Sequence, residues 1–243
     1  NEDGNIPEKR ALCAELGIQY LILKREPHDG LSPRSTTALR SVFSMPYRID
    51  LCGGWLDQPW VSSLHPGPVL TISLEPTIEF NNRSGMATST RRKAIELWGP
   101  RLPAGDPLKL AKILFAYDNP PGTKEISGSQ DTIGIVYPGL NRAYYRGEYW
   151  PEQIDSVQDE GVLRFVEQAL YLIPLGPRGQ DFHVLENTCI TAEGARALSE
   201  AAEGCWQAIL AGDIRAFGGQ FRRGFEAQVA MFPNMMNAAL AQM

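Results

Sequence analysis

Runs of apolar residues divide the chain into predicted strands and helices. Residues 47–52 alternate aromatic and branched side chains with charged ones, a pattern typical of a β-strand. Similar apolar runs predict further strands at residues 18–23, 69–74, 77–80, 132–137, 140–145 and 171–175. Because Pro138-Gly139 separates two of these runs, we expect residues 132–145 to form a β-hairpin.

Apolar residues at steps of three and four predict helices elsewhere in the chain. The expected helices cover residues 7–17, 85–98, 107–118, 159–170, 192–211 and 214–232. Asp106, Thr191 and Asp213 are the predicted N-caps. The helix at 107–118 has apolar positions at Leu110, Ile113, Leu114 and Tyr117. The aromatic stripe of Ile214, Phe217, Phe221, Phe225 and Val229 is expected to pack in the core.

Composition and charge argue against several classes of protein. The net charge of -5 over 243 residues disfavours a nucleic-acid or membrane-surface partner. No apolar run approaches the roughly 20 residues that a membrane span needs. The four cysteines are scattered without a CxxC pair, so buried free thiols in a reducing cytoplasm are expected. The three histidines fall in unrelated contexts, which leaves a Ser/His/Asp site without support.

The stretch from Arg48 to Asp57 places charge in a strand of buried type. Gly53-Gly54 ends the strand, Asp57 follows in a turn, and Pro59 is expected to prevent an immediate return to regular structure. One interpretation is a salt bridge next to a tight turn. The other is a polyol site at a strand end, where Asp57 accepts hydroxyl protons and Arg48 tempers negative charge.

Two further segments carry residues suited to phosphate chemistry. Gly85 to Thr90 places small residues and hydroxyls at the start of a helix, where unpaired backbone amides form an anion site. Ordinary N-capping is the alternative. The basic run Arg91-Arg92-Lys93 that follows either helps to neutralise a triphosphate or is merely solvated. Gly128 to Asp131 is predicted to lie on a turn between a predicted helix and the predicted hairpin.

These three segments, in this order, resemble the motifs of the GHMP small-molecule kinases, and most closely those of the fucokinase and heptose-kinase branch. The resemblance implies an α+β fold of the GHMP kinase type. Its N-terminal half would resemble domain 2 of ribosomal protein S5, and its C-terminal half would be helical and ferredoxin-like. The resemblance also implies an ATP-dependent sugar kinase that uses ATP and magnesium.

The resemblance assigns a role to each site residue. Asp131 would orient or deprotonate the substrate hydroxyl, and Arg48 would stabilise charge on the transferring phosphoryl group. The sugar would contact Asp57, Gly54, Asp50 and Gln130. The ATP phosphates would be bound by Gly85, Met86, Ala87, Thr88, Ser89 and Thr90. Magnesium would be bound by Ser89 and Asp118, with Glu125 as the alternative to Asp118.

The resemblance also divides the chain into three segments. Residues 1–40 resemble the tail of a cytidylyltransferase-like nucleotidyltransferase, with Arg34 to Thr37 at its phosphate-binding position. A plain N-terminal extension is the alternative. Residues 41–150 and 151–243 would be the two kinase domains. The family's glycine-rich third motif does not occur in the sequence. We therefore expect a piece of a longer polypeptide, fused to a nucleotidyltransferase and incomplete at its C-terminal end. The rival hypothesis is a non-catalytic module that binds sugar and nucleotide.

Overall fold

Four antiparallel strands form one sheet whose spatial order follows the chain. The structure, a computed structural model, describes residues 45–75, 86–172 and 183–236. The strands are β1 (Tyr47–Cys52), β2 (Gly67–Leu74), β3 (Leu140–Tyr145) and β4 (Gln153–Val157). Each strand pairs with the next one along the chain. Together with the helices below, this sheet confirms the predicted α+β class.

Seven α-helices accompany the sheet in the described residues. They are α1 (Pro59–Ser62), α2 (Thr88–Trp98), α3 (Pro107–Asp118), α4 (Ser129–Val136), α5 (Glu160–Ala169), α6 (Ala192–Ala211) and α7 (Ile214–Met231). A 3₁₀ turn follows at Pro233–Met235. The side chains of Asp106, Thr191 and Asp213 accept backbone N–H groups at the starts of α3, α6 and α7. These three N-caps are therefore confirmed.

The two faces of the sheet bury different side chains. Leu70 and Ile72 of β2 pack in a core with α5 and α6. Val69 of β2 and Ala143 of β3 belong to a second core that contains residues of α2, α3 and α4. The division follows from the alternation of side chains along each strand. Strand β4 comes from residues 151–243 and pairs with β3, which comes from residues 41–150. The two segments predicted as domains therefore share one sheet.

Residues 129–136 form helix α4, whereas we predicted that residues 132–137 form the first strand of a hairpin. Helix α4 lies against β1 and β2 on one side and α3 on another. Its apolar side chains Ile133, Ile135 and Val136 are all buried. A helix that is buried on several sides has no polar face, so its sequence lacks the helical period and resembles a buried strand. The second predicted strand is present as β3, but its partners are β2 and β4.

Two local predictions about backbone structure also need correction. Pro59 occupies the first turn of α1, where a missing backbone N–H breaks no helical hydrogen bond. Pro59 therefore begins a helix, whereas we expected this proline to prevent regular structure. Strand β4 was not predicted, because its side chains are only exposed or half-buried and show no apolar run.

The aromatic stripe that was predicted to pack in the core is only partly buried, and the same holds for the apolar positions of α3. Ile113 and Tyr117 of α3 are exposed, and so are Ile214 and Phe221 of α7. Of the cysteines in the described residues, Cys52 and Cys205 are buried and Cys189 is exposed, whereas Cys13 lies outside the described residues.

Several predictions concern residues outside the described ranges. These are the helix at 7–17, the strands at 18–23 and 77–80, the whole N-terminal segment (residues 1–40), and Gly85. Of the predicted strand at 171–175, Leu172 forms an isolated bridge and the residues after it lie outside the description.

Trp55 has a backbone conformation that is unusual for a large residue. Its φ is 81°, in the left-handed region. The indole stacks on Phe232, with ring centroids 4.5 Å apart and an interplanar angle of 18°. Its Nε1–H donates to Met235 Sδ at 3.4 Å. Aromatic packing against the end of α7 thus offsets the cost of the left-handed turn after Gly54.

We expect Trp55→Gly to be more stable than Trp55→Ala by about 1 kcal/mol, because only glycine adopts a left-handed conformation without strain. Both variants lose the aromatic stack, so both should be less stable than the parent. Urea denaturation of the two variants measures the difference. Trp98, in the right-handed helix α2, is the matched control, and there the alanine variant should be the more stable one. The same order at both positions would contradict the argument.

Candidate active site

An ion pair between β1 and α4 lies at the centre of the site. Arg48 Nη2 donates to Asp131 Oδ1, and the two residues are 83 positions apart in the chain. The side chain of Arg48 is 9% exposed and that of Asp131 is 20% exposed. The pair is therefore largely shielded from water, while the carboxylate keeps some access to solvent. The structure brings together the two residues that were predicted to be catalytic.

A threonine hydroxyl from α2 joins this pair to a second carboxylate. Thr90 Oγ1 donates to Asp118 Oδ2 at 2.7 Å and lies 3.5 Å from Asp131 Oδ2. Burial raises the pKa of Asp118, and the Thr90 hydrogen bond and the charge of Lys93 oppose that shift. Oxygen atoms from α2, α3 and α4 thus converge near the end of the Arg48 side chain.

Asp57 is buried more deeply in the protein than Arg48 and Asp131. The residue is 2% exposed. Gly128 lies so close that a Cβ atom there would be less than 3.0 Å from the Asp57 carboxylate. Burial, and then the charge of Asp50, raise the pKa of Asp57 to about 7, while Arg48 and a hydrogen bond with Gln130 lower it. In this structure Asp57 therefore contacts protein groups and not solvent.

Asp50 and Gly54 meet at the end of β1. A Cβ atom on Gly54 would be less than 3.0 Å from Asp50 Oδ2, so the carboxylate approaches the backbone at a point that only glycine permits. Burial raises the pKa of Asp50 to about 6, and the charge of Arg48 opposes the shift. Gln228 of α7 donates from Nε2 to the Gly54 carbonyl oxygen at 3.3 Å. Sequence reasoning missed Gln228, since nothing in its local sequence distinguishes it from other helical positions.

The start of α2 has features of an anion site. Ala87 is its N-cap residue, with φ 52°, and no side chain caps the helix. Ala87 has no side-chain oxygen that could accept the N–H groups of the first turn of α2. Met86 and Ala87 are buried, and Ser89 is exposed. The hydroxyl beside Asp118 is that of Thr90, and Ser89 lies on the solvent side of the helix.

The three basic residues after this segment have different surroundings. Arg91 is buried: Nε donates to the Met45 carbonyl oxygen at 2.9 Å, and the guanidinium lies 4.0 Å from the centroid of the Tyr47 ring. Lys93 forms a surface ion pair with Glu96 at 2.9 Å. Arg92 is exposed. Arg91 therefore packs α2 against β1. The alternative that all three basic residues are merely solvated does not hold for Arg91.

The predicted magnesium ligands are not all neighbours of one another. Asp118 lies beside Thr90, whereas Ser89 and the alternative ligand Glu125 are exposed. Across the described residues, no group of three or more His, Cys, Asp and Glu side chains is arranged to hold a metal ion. Magnesium needs only one or two protein carboxylates when phosphate supplies other ligands. The oxygens of Asp118, Thr90 and Asp131 fit that smaller requirement.

No protein-family model and no curated protein matches the chain. In the described ranges of the chain, none of the helices is both long enough and apolar enough to cross a lipid bilayer.

The raised pKa of Asp57 predicts a pH dependence of stability that Asp57→Asn should remove. The folded state holds the proton up to about pH 7, whereas the unfolded chain releases it near pH 4. Wild-type stability should therefore fall between about pH 4 and pH 7 through this group, by about 4 kcal/mol at most. Because asparagine resembles the protonated carboxyl group, the variant should lack this contribution.

Urea denaturation of both proteins from pH 4 to pH 8 tests this expectation. The stability of Asp57→Asn relative to wild type should rise as the pH increases. Asp50→Asn should show a similar rise that ends nearer pH 6, in line with its pKa. A constant difference between Asp57→Asn and wild type over the whole range would show that the carboxyl group is not perturbed.

Proposed function

We propose that this chain is a sugar kinase of the GHMP type, which transfers the γ-phosphoryl group of ATP to a sugar hydroxyl. The observation that carries the proposal is the Arg48–Asp131 pair, which meets the Thr90 hydroxyl in the first turn of α2. Phosphoryl transfer depends on positioning and electrostatics, for which a carboxylate, a guanidinium, a phosphate-binding helix start and magnesium suffice in principle. The resemblance of the three motifs supports the same conclusion.

Asp131 is the group best suited to act on the acceptor hydroxyl. Its side chain is the more exposed member of the pair, at 20%. A carboxylate at hydrogen-bond distance orients a hydroxyl and accepts its proton as the oxygen attacks phosphorus. Arg48 holds this carboxylate in place and presents positive charge beside the transferring group. Asp57 and Asp50 lie deeper and hold Gln130, Gly54 and the end of β1 in position.

The phosphate end of the site is formed by α2 and α3. Backbone amides at the start of α2, near Ala87 and Thr88, would bind phosphate oxygens together with the positive end of the helix dipole. Asp118 and Thr90 would hold magnesium, with Asp131 beside them. When bound, magnesium neutralises charge on the phosphates. Lys93, whose charge acts on Asp118, adds positive potential on this side.

A regulatory module of the same fold that binds sugar and nucleotide without turnover is the second candidate. The position of Arg91 favours it. The guanidinium of Arg91 is buried against Met45 and Tyr47, so a prominent cation next to the phosphate segment stabilises the fold instead.

Asp131→Asn should abolish phosphoryl transfer. Loss of a general base lowers kcat by a factor on the order of 10² to 10⁴, while asparagine keeps the size of the side chain. Transfer to a panel of free monosaccharides is followed by ³¹P NMR and by ADP release with magnesium and ATP. Asp155→Asn is the control, because Asp155 forms an ion pair with Arg142 at 2.9 Å on β3 and β4. It should retain activity.

Two results would count against a kinase. If the wild-type protein transfers phosphate to no sugar in a broad panel, the proposal fails. If calorimetry then shows that a sugar and a non-hydrolysable ATP analogue bind without turnover, the regulatory module is the better description.

A further inference from the structure

One turn after Asp131, helix α4 carries a glycine, Gly134. Because this glycine has no side chain, there is room for Arg48. Gly134 is buried within the helix. An ideal Cβ atom there would lie less than 3.0 Å from Arg48 Cγ, and 3.1 Å from both Arg48 Cβ and Cδ. These atoms belong to the root and middle of the side chain, so they cannot move aside as a flexible end would. The stem of Arg48 therefore fills the space that a side chain at position 134 would occupy.

Backbone conformation does not explain this glycine. Gly134 is not among the residues with positive φ, so every L-residue can adopt its conformation. Glycine inside a helix destabilises it relative to alanine. Its neighbours Ile133 and Ile135 are fully buried, so α4 cannot easily move away from β1. The contact with Arg48 remains as the reason for glycine here.

We propose that Gly134 is a positioning residue for the reaction. It lets the stem of Arg48 lie against α4, and the guanidinium reaches Asp131 on the same helix. Gly134 touches no reacting atom and acts only through Arg48. The inference rests on the proposed function for its effect on turnover, but not for its effect on the ion pair.

Two other glycines provide a matched control. Gly218 and Gly219 lie inside α7, and a Cβ atom on either would have no neighbour within 4 Å. Gly218→Ala should therefore show the ordinary gain in helix stability. Gly134→Ala adds the same methyl group at a helical position where the stem of Arg48 lies.

The first test compares turnover of these two variants well below their melting temperatures. Gly134→Ala should lower kcat on the order of 100-fold, because misplacement of a catalytic group by about 1 Å has that effect. Its KM for ATP should change little, since the start of α2 is not disturbed. Gly218→Ala should retain the wild-type kcat and melt at the same temperature or higher. A wild-type kcat in folded Gly134→Ala would overturn the proposal.

The second test measures the coupling between positions 134 and 48 without using activity. Arg48→Ala removes Cγ, whereas Arg48→Met keeps it. Introducing Gly134→Ala should lower the melting temperature of the wild-type protein and of Arg48→Met. The same substitution should have little effect on the melting temperature of Arg48→Ala. Equal falls in all three backgrounds would show that the methyl group clashes with something other than this stem.

If Arg48→Ala does not fold, the ¹⁵N side-chain signals of Arg48 provide the same information. They should shift in Gly134→Ala and stay unchanged in Gly218→Ala, and unchanged signals in both would overturn the proposal.

The proposed function and the positioning role of Gly134 can be disproved separately. A wild-type protein without turnover removes the proposed function, while the thermal and NMR results still decide whether Gly134 positions Arg48. An active wild type with an unaffected Gly134→Ala variant removes only the positioning role.

Discussion

The main physical constraint on this fold is that it buries several charges on one face of a small sheet. Arg48 and Asp50 lie on β1, and Asp57 and Asp131 lie next to them, so three carboxylates surround one guanidinium. Desolvation of such a group is costly unless the geometry of the pairs is good. The raised pKa values of Asp50 and Asp57 show that Arg48 does not fully compensate both. Helix α4 lies against β1 and supplies Asp131, the carboxylate that pairs directly with Arg48.

The cost of buried polarity extends along the same face. Strand pairing places Ser73 opposite Arg48 and Thr71 opposite Asp50, and Asn141 follows on β3. Asn141 is well satisfied, since Ser156 Oγ donates to its Oδ1 at 2.6 Å. The hydroxyl oxygens of Thr71 and Ser73 are buried and have no hydrogen-bond partner within the described ranges. Buried polar groups of this kind tend to concentrate where function sets the sequence.

Sequence reasoning succeeded where local physics decides the outcome. The sequence of β1 alternates apolar with charged side chains, and Asp106, Thr191 and Asp213 have the side chains that cap helices. It failed at α4, where burial on several sides removes the helical period. It also could not find Gln228 or Gly134, because their importance comes from residues more than 80 positions away in the chain. Arg48, Asp57, Thr90, Asp118 and Asp131 were predicted from the sequence, but the depth of Asp57 depends on packing that no local pattern encodes.

The connection between β2 and β3 has a consequence for the tolerance of the fold to changes in length. Leu74 ends one strand and Leu140 begins its neighbour, and α2, α3 and α4 all belong to the single connection between them. The entropy of closing a flexible loop grows only with the logarithm of its length, by about 0.6 kcal/mol for each doubling. Insertions or deletions between these helices would therefore change the sheet very little. The same changes would act first on α2 and α3, so the contact between Thr90 and Asp118 is more sensitive to the length of this connection than the strand pairing is.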